Sequence, residues 1–114
     1  MSSAGWTVET LDAEVDAEIE ELPPFLRARF FRLLEMIETI GLDRLREPHV
    51  KHIEGKLWEV RARSAEGIAR GLYVTATGRR VVVLHVFAKK SQKTPSKALR
   101  LAHERMRRVT HDQN

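Results

Sequence analysis

The chain contains no cysteine and only four prolines and six glycines in 114 residues. The missing thiols exclude disulfide bonds and thiolate metal sites, and they are compatible with a reducing compartment. No stretch approaches the roughly 18 consecutive apolar residues of a membrane-spanning helix. The first residues lack a basic segment followed by an apolar run, so we expect no secretory signal and a cytoplasmic location.

Several catalytic motifs are also missing. The sequence has no glycine-rich phosphate loop, no HExxH metal motif and no spacing that argues for a Ser, His and Asp nucleophile arrangement. We therefore expect neither a metal ion nor another cofactor.

Charge is present and unevenly distributed. The net charge is +4, but residues 1–50 hold eleven acidic and five basic residues, whereas residues 51–114 hold five acidic and fifteen basic ones. Such segregation indicates a surface that meets a polyanion, and a solvated charged face is the equally weighted alternative.

The segment from Val81 to Leu101 carries the leading indication of function. Its dense run of Val, Leu and Phe is typical of a buried strand, and the strand leads directly into Lys89, Lys90 and Lys93. Cations at the end of a rigid strand are held together against their mutual repulsion, and such a cluster usually marks a surface that binds phosphate.

Periodicity and capping signals predict one α+β domain over residues 1–114. We predict a strand at 6–11, helices at 13–22 and 24–40, strands at 56–63, 68–75 and 79–88, and a helix at 95–109. Asp12 and Thr94 are the expected helix caps, and Gly41 is expected to end the second helix. Residues 42–55 are expected to form an exposed connector.

The predicted architecture is a small antiparallel sheet with a mixed edge, an N-terminal helical hairpin and a C-terminal helix. Because the last three strands are joined by short turns, they form an antiparallel meander. The helices are expected on one face, which leaves the other face free for Arg61, Arg63, Arg70 and the lysines.

Each of these residues also has a structural interpretation. Arg70 alternates with apolar residues, so its charge needs a functional reason or a partner, and an ion pair with Glu59 is the alternative. Trp58 is expected in the core. His85 and Phe87 alternate with Val81 and Val83, so packing in the core and a role in a site are equally weighted for both.

The residue types on the predicted free face suit RNA chemistry. Arg and Lys bind phosphate and stabilise charge that develops on a transferring phosphoryl group. The rings of Tyr73, Phe87 and Trp58 are of the kind that stacks unpaired bases. Because an RNA 2′-hydroxyl can attack the adjacent phosphorus, cleavage needs only a base, an acid and fixed positive charge.

Three features of the sequence stand out, namely the segment KLWEVR, the spacing Arg70-x-x-Tyr73 and the segment VVLHVFAKKSQKTP. Together they resemble the RelE/ParE superfamily of bacterial and phage toxins, in its HigB or phage-derived RelE-like branch. The most specific part is the pattern H-x-F-x-K-K-x-Q-K-T-P between Leu84 and Pro95, and the resemblance follows the element order over residues 6–109. It implies a RelE-like fold with a small concave sheet.

The resemblance also implies a function. It implies the toxin of a type II toxin–antitoxin system, a ribosome-dependent endonuclease that cuts messenger RNA in the ribosomal A site without a metal. The implied partner is a HigA-type helix-turn-helix antitoxin. The alternatives are a non-catalytic RNA-binding or regulatory module on the same scaffold, and a structural domain whose basic face contacts a protein.

Roles for individual residues follow from the resemblance as well. Arg70 matches the strand arginine that contacts the scissile phosphate. Two groups of residues match basic positions of the family. One group follows the last strand and consists of Lys89, Lys90 and Lys93. The other belongs to the predicted strand 56–63 and consists of Lys56, Arg61 and Arg63. Ser96 and Lys97 stand where the best-known RelE pattern has a tyrosine, so the general base stays open between His85 and a lysine.

Overall fold

The structure of the protein is a computed structural model that describes residues 4–90 and 93–111. In chain order its elements are β1 (Thr7–Thr10), α1 (Ala13–Glu20), α2 (Pro24–Ile40), a short 3-10 helix (Leu42–Arg44), β2 (Val50–Glu54), β3 (Leu57–Ser64), β4 (Gly67–Ala76), β5 (Arg80–Lys89) and α3 (Ser96–His111). Within the described ranges, no helix has both the length and the apolar character needed to span a membrane.

The strands form one sheet in the order β1-β5-β4-β3-β2. β1 runs parallel to β5, and every other pair of neighbours is antiparallel. This arrangement confirms the predicted fold class, including the mixed edge and the C-terminal helix. The prediction for residues 42–55 is wrong, because this segment contains β2, which pairs with β3 through Val50 and Val60 among other residues.

Local signals place the ends of the first two helices as expected. The Asp12 side chain caps α1 by accepting hydrogen bonds from the backbone N–H groups of Glu14 and Val15 at 3.1 and 3.2 Å. Pro24 occupies the first turn of α2, where a missing N–H costs nothing. Gly41 follows the helix with a φ of 110°, a conformation that glycine adopts without strain.

Helices cover both faces of the sheet, which corrects the expectation of one free face. On one side, here called the α1/α2 face, Val15, Ile19 and Phe30 of the helices pack in a core with Val60 and Val83. The opposite side, here called the α3 face, holds a second core. Its members include Ala98 and Ala102 of α3 and, from the strands, Leu57, Leu72, Val74, Val82 and Leu84. α3 therefore packs near the start of β3 and leaves the end of β3 uncovered by this core.

The packing of α2 on the sheet depends on a close approach at Gly71. A Cβ atom on Gly71 would lie 2.6 Å from Cζ of Phe30 and 3.1 Å from Cγ2 of Val60. Glycine therefore allows the Phe30 ring to lie directly on β4, which brings the N-terminal helices to their position under the sheet.

A β-bulge in β5 changes which of its side chains share a face. Leu72 lies opposite His85, but the next residue, Tyr73, lies opposite Val83. The extra residue interrupts the alternation, so Phe87 packs with the core on the α3 face while Val83 belongs to the other core. The sequence-based placement of His85 and Phe87 beside Val81 and Val83 is therefore wrong.

Trp58 is not in the core. Its side chain is 38% exposed near the edge of the sheet, and its ring lies 4.9 Å from that of His52 in β2. The prediction is wrong because the buried face at this end of β3 is the face of Leu57 and Glu59. Both of these side chains are fully buried, whereas Trp58 lies on the opposite face.

Candidate functional site

The registers of β3, β4 and β5 bring predicted site residues together on the α3 face. Residues directly opposite one another in an antiparallel pair share a face of the sheet. Arg61 is aligned with Arg70, and Arg70 with Phe87. Two residues further along β3, Arg63 is aligned with Ile68, which in turn is aligned with Lys89. We call the basic patch the cluster of Arg61, Arg63, Arg70 and Lys89, together with Lys90, which directly follows β5 and lines a hollow with Arg63.

A buried carboxylate organises the basic patch. Glu59 is fully buried, and its Oε1 accepts hydrogen bonds from Nε of Arg61 and, at 3.4 Å, from Nη1 of Arg70. Its Oε2 accepts a hydrogen bond from the Thr94 hydroxyl at 3.0 Å. The ion pair between Arg70 and Glu59, an alternative left open by the sequence, is therefore present. Thr94, expected as a helix cap, uses its hydroxyl to tie the start of the last helix to this carboxylate.

Arg70 is a charge beneath the surface of the patch. Its side chain has no exposed area. Desolvation lowers the pKa of the Arg70 guanidinium, and Arg61 and Arg63 lower it further, whereas Glu59 raises it. Arginine stays protonated despite such a shift. In this arrangement Arg70 holds Glu59 and its neighbours in place and does not reach solvent, so it is not positioned for the direct phosphate contact that the resemblance implies.

The accessible cations lie at the rim of the patch. Arg63, Lys89, Lys90 and Lys93 are all exposed. Arg63 and Lys90 line opposite parts of a hollow of about 280 Å³ at the turn between β3 and β4. Residues 91 and 92 of the lysine-rich motif lie outside the described residues. The rim is the part of the site that a polyanion can reach directly.

His85 lies next to the basic patch and is held by a carboxylate from α1. Its Nδ1 is 3.0 Å from Oε1 of Glu18, and its ring stacks on that of Phe87 with 5.1 Å between centroids. Glu18 also accepts the backbone N–H of Val86 at 3.0 Å, and its Oε2 lies 3.0 Å from Nη1 of Arg105. The same carboxylate thus joins α1 and α3 to the part of β5 that extends beyond its pairing with β1.

A carboxylate at Nδ1 has a chemical consequence for His85. Because a carboxylate only accepts hydrogen bonds, a neutral imidazole beside it carries its proton on Nδ1 and leaves Nε2 able to accept a proton. His85 is 15% exposed, so one side of the side chain still reaches the surface. This is the arrangement that a general base requires.

Two predicted site residues do not join the cluster. Tyr73 is buried on the α1/α2 face, where burial raises the pKa of its phenol, so its ring is not available for stacking on RNA. Lys56 lies in the turn before β3, seven residues from Arg63, which corresponds to about 23 Å along a strand. Neither residue contributes to the basic patch.

Sequence reasoning missed Glu18 and Arg105 as parts of the site. Glu18 is 67 residues from His85, and on α1 it resembles any other acidic surface residue. Arg105 is buried beneath the basic side of α3, where Nη1 donates to the backbone oxygen of Leu84 at 2.7 Å. Among the described residues, no group of three or more His, Asp or Glu side chains is arranged to hold a metal ion.

Comparison with protein families identifies a match that covers most of the chain. A family model described as phage-derived protein Gp49-like (DUF891) matches residues 17–107. The matched range runs from within α1 to within α3 and includes every residue of the basic patch as well as Glu18, Glu59 and His85. No curated protein matches the chain.

Proposed function

The chain belongs to the family of phage-derived Gp49-like proteins, a family of RelE/ParE-like toxins, and on this premise we propose that it is a toxin that cuts messenger RNA on the ribosome. The proposal specifies a HigB-like, ribosome-dependent endonuclease of a type II toxin–antitoxin system. Membership of a toxin–antitoxin family implies an antitoxin as partner. We further propose that this antitoxin is of the HigA type, with a helix-turn-helix fold.

One observation carries the proposal: β3, β4 and β5 place Arg61, Arg63 and Lys89 on one face, Lys90 lines a hollow with Arg63, and four residues before Lys89 stands His85, whose Nδ1 is bound by a carboxylate. Exposed cations on a rigid sheet attract a phosphate backbone and fix its position. The histidine supplies the group that takes a proton. Positive charge and a base are what self-cleavage through the RNA 2′-hydroxyl requires from a protein.

In the proposed mechanism His85 acts as the general base. Nε2 of His85 takes the proton of the 2′-hydroxyl, whose oxygen attacks the adjacent phosphorus. The P–O5′ bond breaks as solvent water donates a proton to the leaving oxygen, and the products are a 2′,3′-cyclic phosphate and a 5′-hydroxyl end. Lys89 and Lys90 stabilise the negative charge that develops on the phosphorane oxygens. The exposed side of Phe87 is suited to contact a base next to the scissile bond.

Arg70 and Glu59 act indirectly in this proposal. Glu59 orients the Arg61 guanidinium, and Arg70 keeps the net charge of the buried trio positive beneath the rim. Thr94 links the trio to the start of α3 and to the segment that carries Lys93. The residues proposed to touch RNA are therefore Arg63, Phe87, Lys89, Lys90 and Lys93, with His85 as the proton acceptor.

The proposal is tested by inducing the protein in bacteria and mapping messenger-RNA 5′ ends. We expect growth arrest and new ends in coding regions with the wild type, and loss of both with the Lys89→Gln, Lys90→Gln double variant. Arg44→Gln, which removes an exposed charge from the 3-10 helix far from the patch in sequence, serves as the control and is expected to behave as wild type. Folded wild-type protein that causes neither arrest nor cleavage would contradict the proposal and favour the non-catalytic RNA-binding module.

A further inference from the structure

A groove between α2 and β3 carries arginines outside the basic patch. It has a volume of about 510 Å³, in the range of small-ligand pockets. Its wall is largely apolar and is formed by Ala28, Leu33, Met36, Pro48 and Ala62. Its polar residues are Arg29, Arg32, His49, Arg61 and Arg63, and the described part of the chain contributes no Asp or Glu to the lining.

Two of these arginines, Arg29 and Arg32, do not use their side chains to hold the fold together. Arg29 and Arg32 lie three residues apart on α2, so their side chains are neighbours on the helix surface. Both are exposed, and within the described ranges no hydrogen bond or ion pair engages either of them. Two adjacent guanidinium groups repel each other, and an anion relieves that repulsion, most directly at Arg29, because Arg32 also lines a second groove that carries carboxylates.

The groove continues the basic patch around β3. Arg61 and Arg63 belong to the patch on the α3 face and also line the groove. An RNA strand that lies on the patch can therefore pass over this end of β3 into the groove without leaving positive charge. A nucleotide combines a phosphate, which arginines bind, with a flat base, whose apolar faces can pack against an apolar wall. The groove offers both kinds of surface side by side.

We propose that this groove binds a nucleotide that flanks the one on the basic patch, with its phosphate on Arg29 and Arg32 and its base against Leu33, Met36 and Pro48. The inference rests on the proposed function, because it requires RNA as the substrate. An acidic protein segment would match the same arginines, but the shared Arg61 and Arg63 favour a ligand that is already bound on the patch.

The test measures binding of 2′-O-methyl oligouridylates, which cannot be cleaved at the blocked 2′ position. A long probe of about 12 nucleotides reaches both the patch and the groove, whereas a short probe of about 4 occupies one of them. We expect Arg29→Gln to weaken binding of the long probe about tenfold, since it removes a charge-assisted contact. The slope of log affinity against log salt should also decrease by about 0.7, the value for one lost contact to single-stranded RNA.

Arg44→Gln is the matched control, because Arg44 is also an exposed arginine that lies outside the groove. The inference is supported if Arg29→Gln weakens binding of the long probe and leaves binding of the short probe unchanged, whereas Arg44→Gln changes neither. It is overturned if the two variants bind the long probe equally well, which would leave the groove to a protein partner. Wild type that cuts messenger RNA but does not bind the long probe also overturns it, whereas wild type that does neither overturns the proposed function.

Discussion

Glu59 connects three other residues of the candidate site. Its carboxylate lies between the Arg61 and Arg70 guanidinium groups and also accepts the Thr94 hydroxyl. Removing one partner of a buried ion pair is costly because the remaining charge stays in a poorly solvated place. The sequence offered this pairing as the alternative to a functional role, since Arg70 alternates with apolar residues and its charge needs a partner or a functional reason.

Glu59→Gln should therefore lower the free energy of unfolding by about 3–5 kcal/mol, because it removes the negative charge that compensates Arg70. Urea denaturation followed by circular dichroism measures the change. Glu9→Gln is the control: Glu9 pairs with Arg80 at 2.7 Å, but both side chains are substantially exposed, so the expected loss is at most about 1 kcal/mol. Equal losses in the two variants would show that the buried trio does not depend on its carboxylate.

Glu18 should set the tautomer of His85. In wild type we expect the neutral imidazole to carry its proton on Nδ1, and in Glu18→Gln we expect this preference to be lost and RNA cleavage to slow about tenfold or more, with RNA binding unchanged. Nitrogen-15 NMR of the imidazole reports the tautomer directly. Glu14→Gln is the control, because Glu14 lies 3.6 Å from Arg105 but makes no hydrogen bond to His85. An unchanged tautomer in Glu18→Gln would rule out the positioning role.

At the scale of elements, α1 matters because it carries Glu18 to the edge of β5, and its N-terminus is fixed by Asp12. Desolvation raises the pKa of the Asp12 carboxyl, but the hydrogen bond from Val15 N–H and the Arg108 guanidinium lower it more, so the net pKa lies below the ordinary value of 3.8. A carboxyl with a lowered pKa in the folded state stabilises the protein above its unfolded-state pKa. This contribution is lost as the pH falls through the lower, folded-state value.

Asp12→Ala should cost about 1 kcal/mol of unfolding free energy at neutral pH, because it removes the cap of α1. The cost should shrink as the pH falls below the unfolded-state pKa and through the lower pKa of the folded state, where the wild-type carboxyl takes up a proton. Asp12→Asn retains a capping side chain without the charge, so it should lose less stability than Asp12→Ala at neutral pH. Denaturation curves of the three proteins across acidic pH check this order, and a cost for Asp12→Ala that does not vary with pH would contradict it.

Elements with local signals could be predicted from the sequence, and those that depend on distant contacts could not. Every predicted helix and strand is present with bounds that differ by two residues at most, because caps, prolines and alternation are encoded locally. β2 is short, mostly exposed and formed by pairing with β3, so residues 50–54 carry little signal of their own. The bulge opposite Leu72 likewise could not be predicted from the alternation of apolar and polar residues. It determines which face of the sheet His85 and Phe87 occupy.

The same limit applies to the candidate site. The basic residues of β3, β4 and β5 could be grouped from the sequence, because antiparallel pairing of alternating strands brings their side chains to one face. Tyr73 was predicted to belong with them, but it is three residues from Arg70 on β4, so alternation places it on the other side, in the α1/α2 core. Glu18 could not be predicted, since its contact with His85 depends on how α1 packs against β5.

At the scale of the whole molecule, the charge segregation along the chain becomes a segregation in space. Besides the basic patch and the arginine-lined groove, a groove of about 910 Å³ lies between β1, α1 and α2. It is lined by five carboxylates, those of Glu9, Asp16, Glu20, Glu35 and Glu38, and by Arg32, which also lines the arginine-lined groove. In the proposed function, the acidic groove repels RNA and the basic patch attracts it, so these two surfaces orient the protein on its substrate.

The central claim, that the protein cuts messenger RNA on the ribosome with His85 as the base, is tested most directly with purified components. Purified protein is added to ribosomes that are paused on a defined messenger RNA, and the RNA ends are analysed by mass spectrometry. We predict cleavage in the A-site codon that leaves a 2′,3′-cyclic phosphate, and a rate reduced about 100-fold or more in His85→Gln. Intact messenger RNA with folded wild-type protein, or equal rates for the wild type and His85→Gln, would contradict the account.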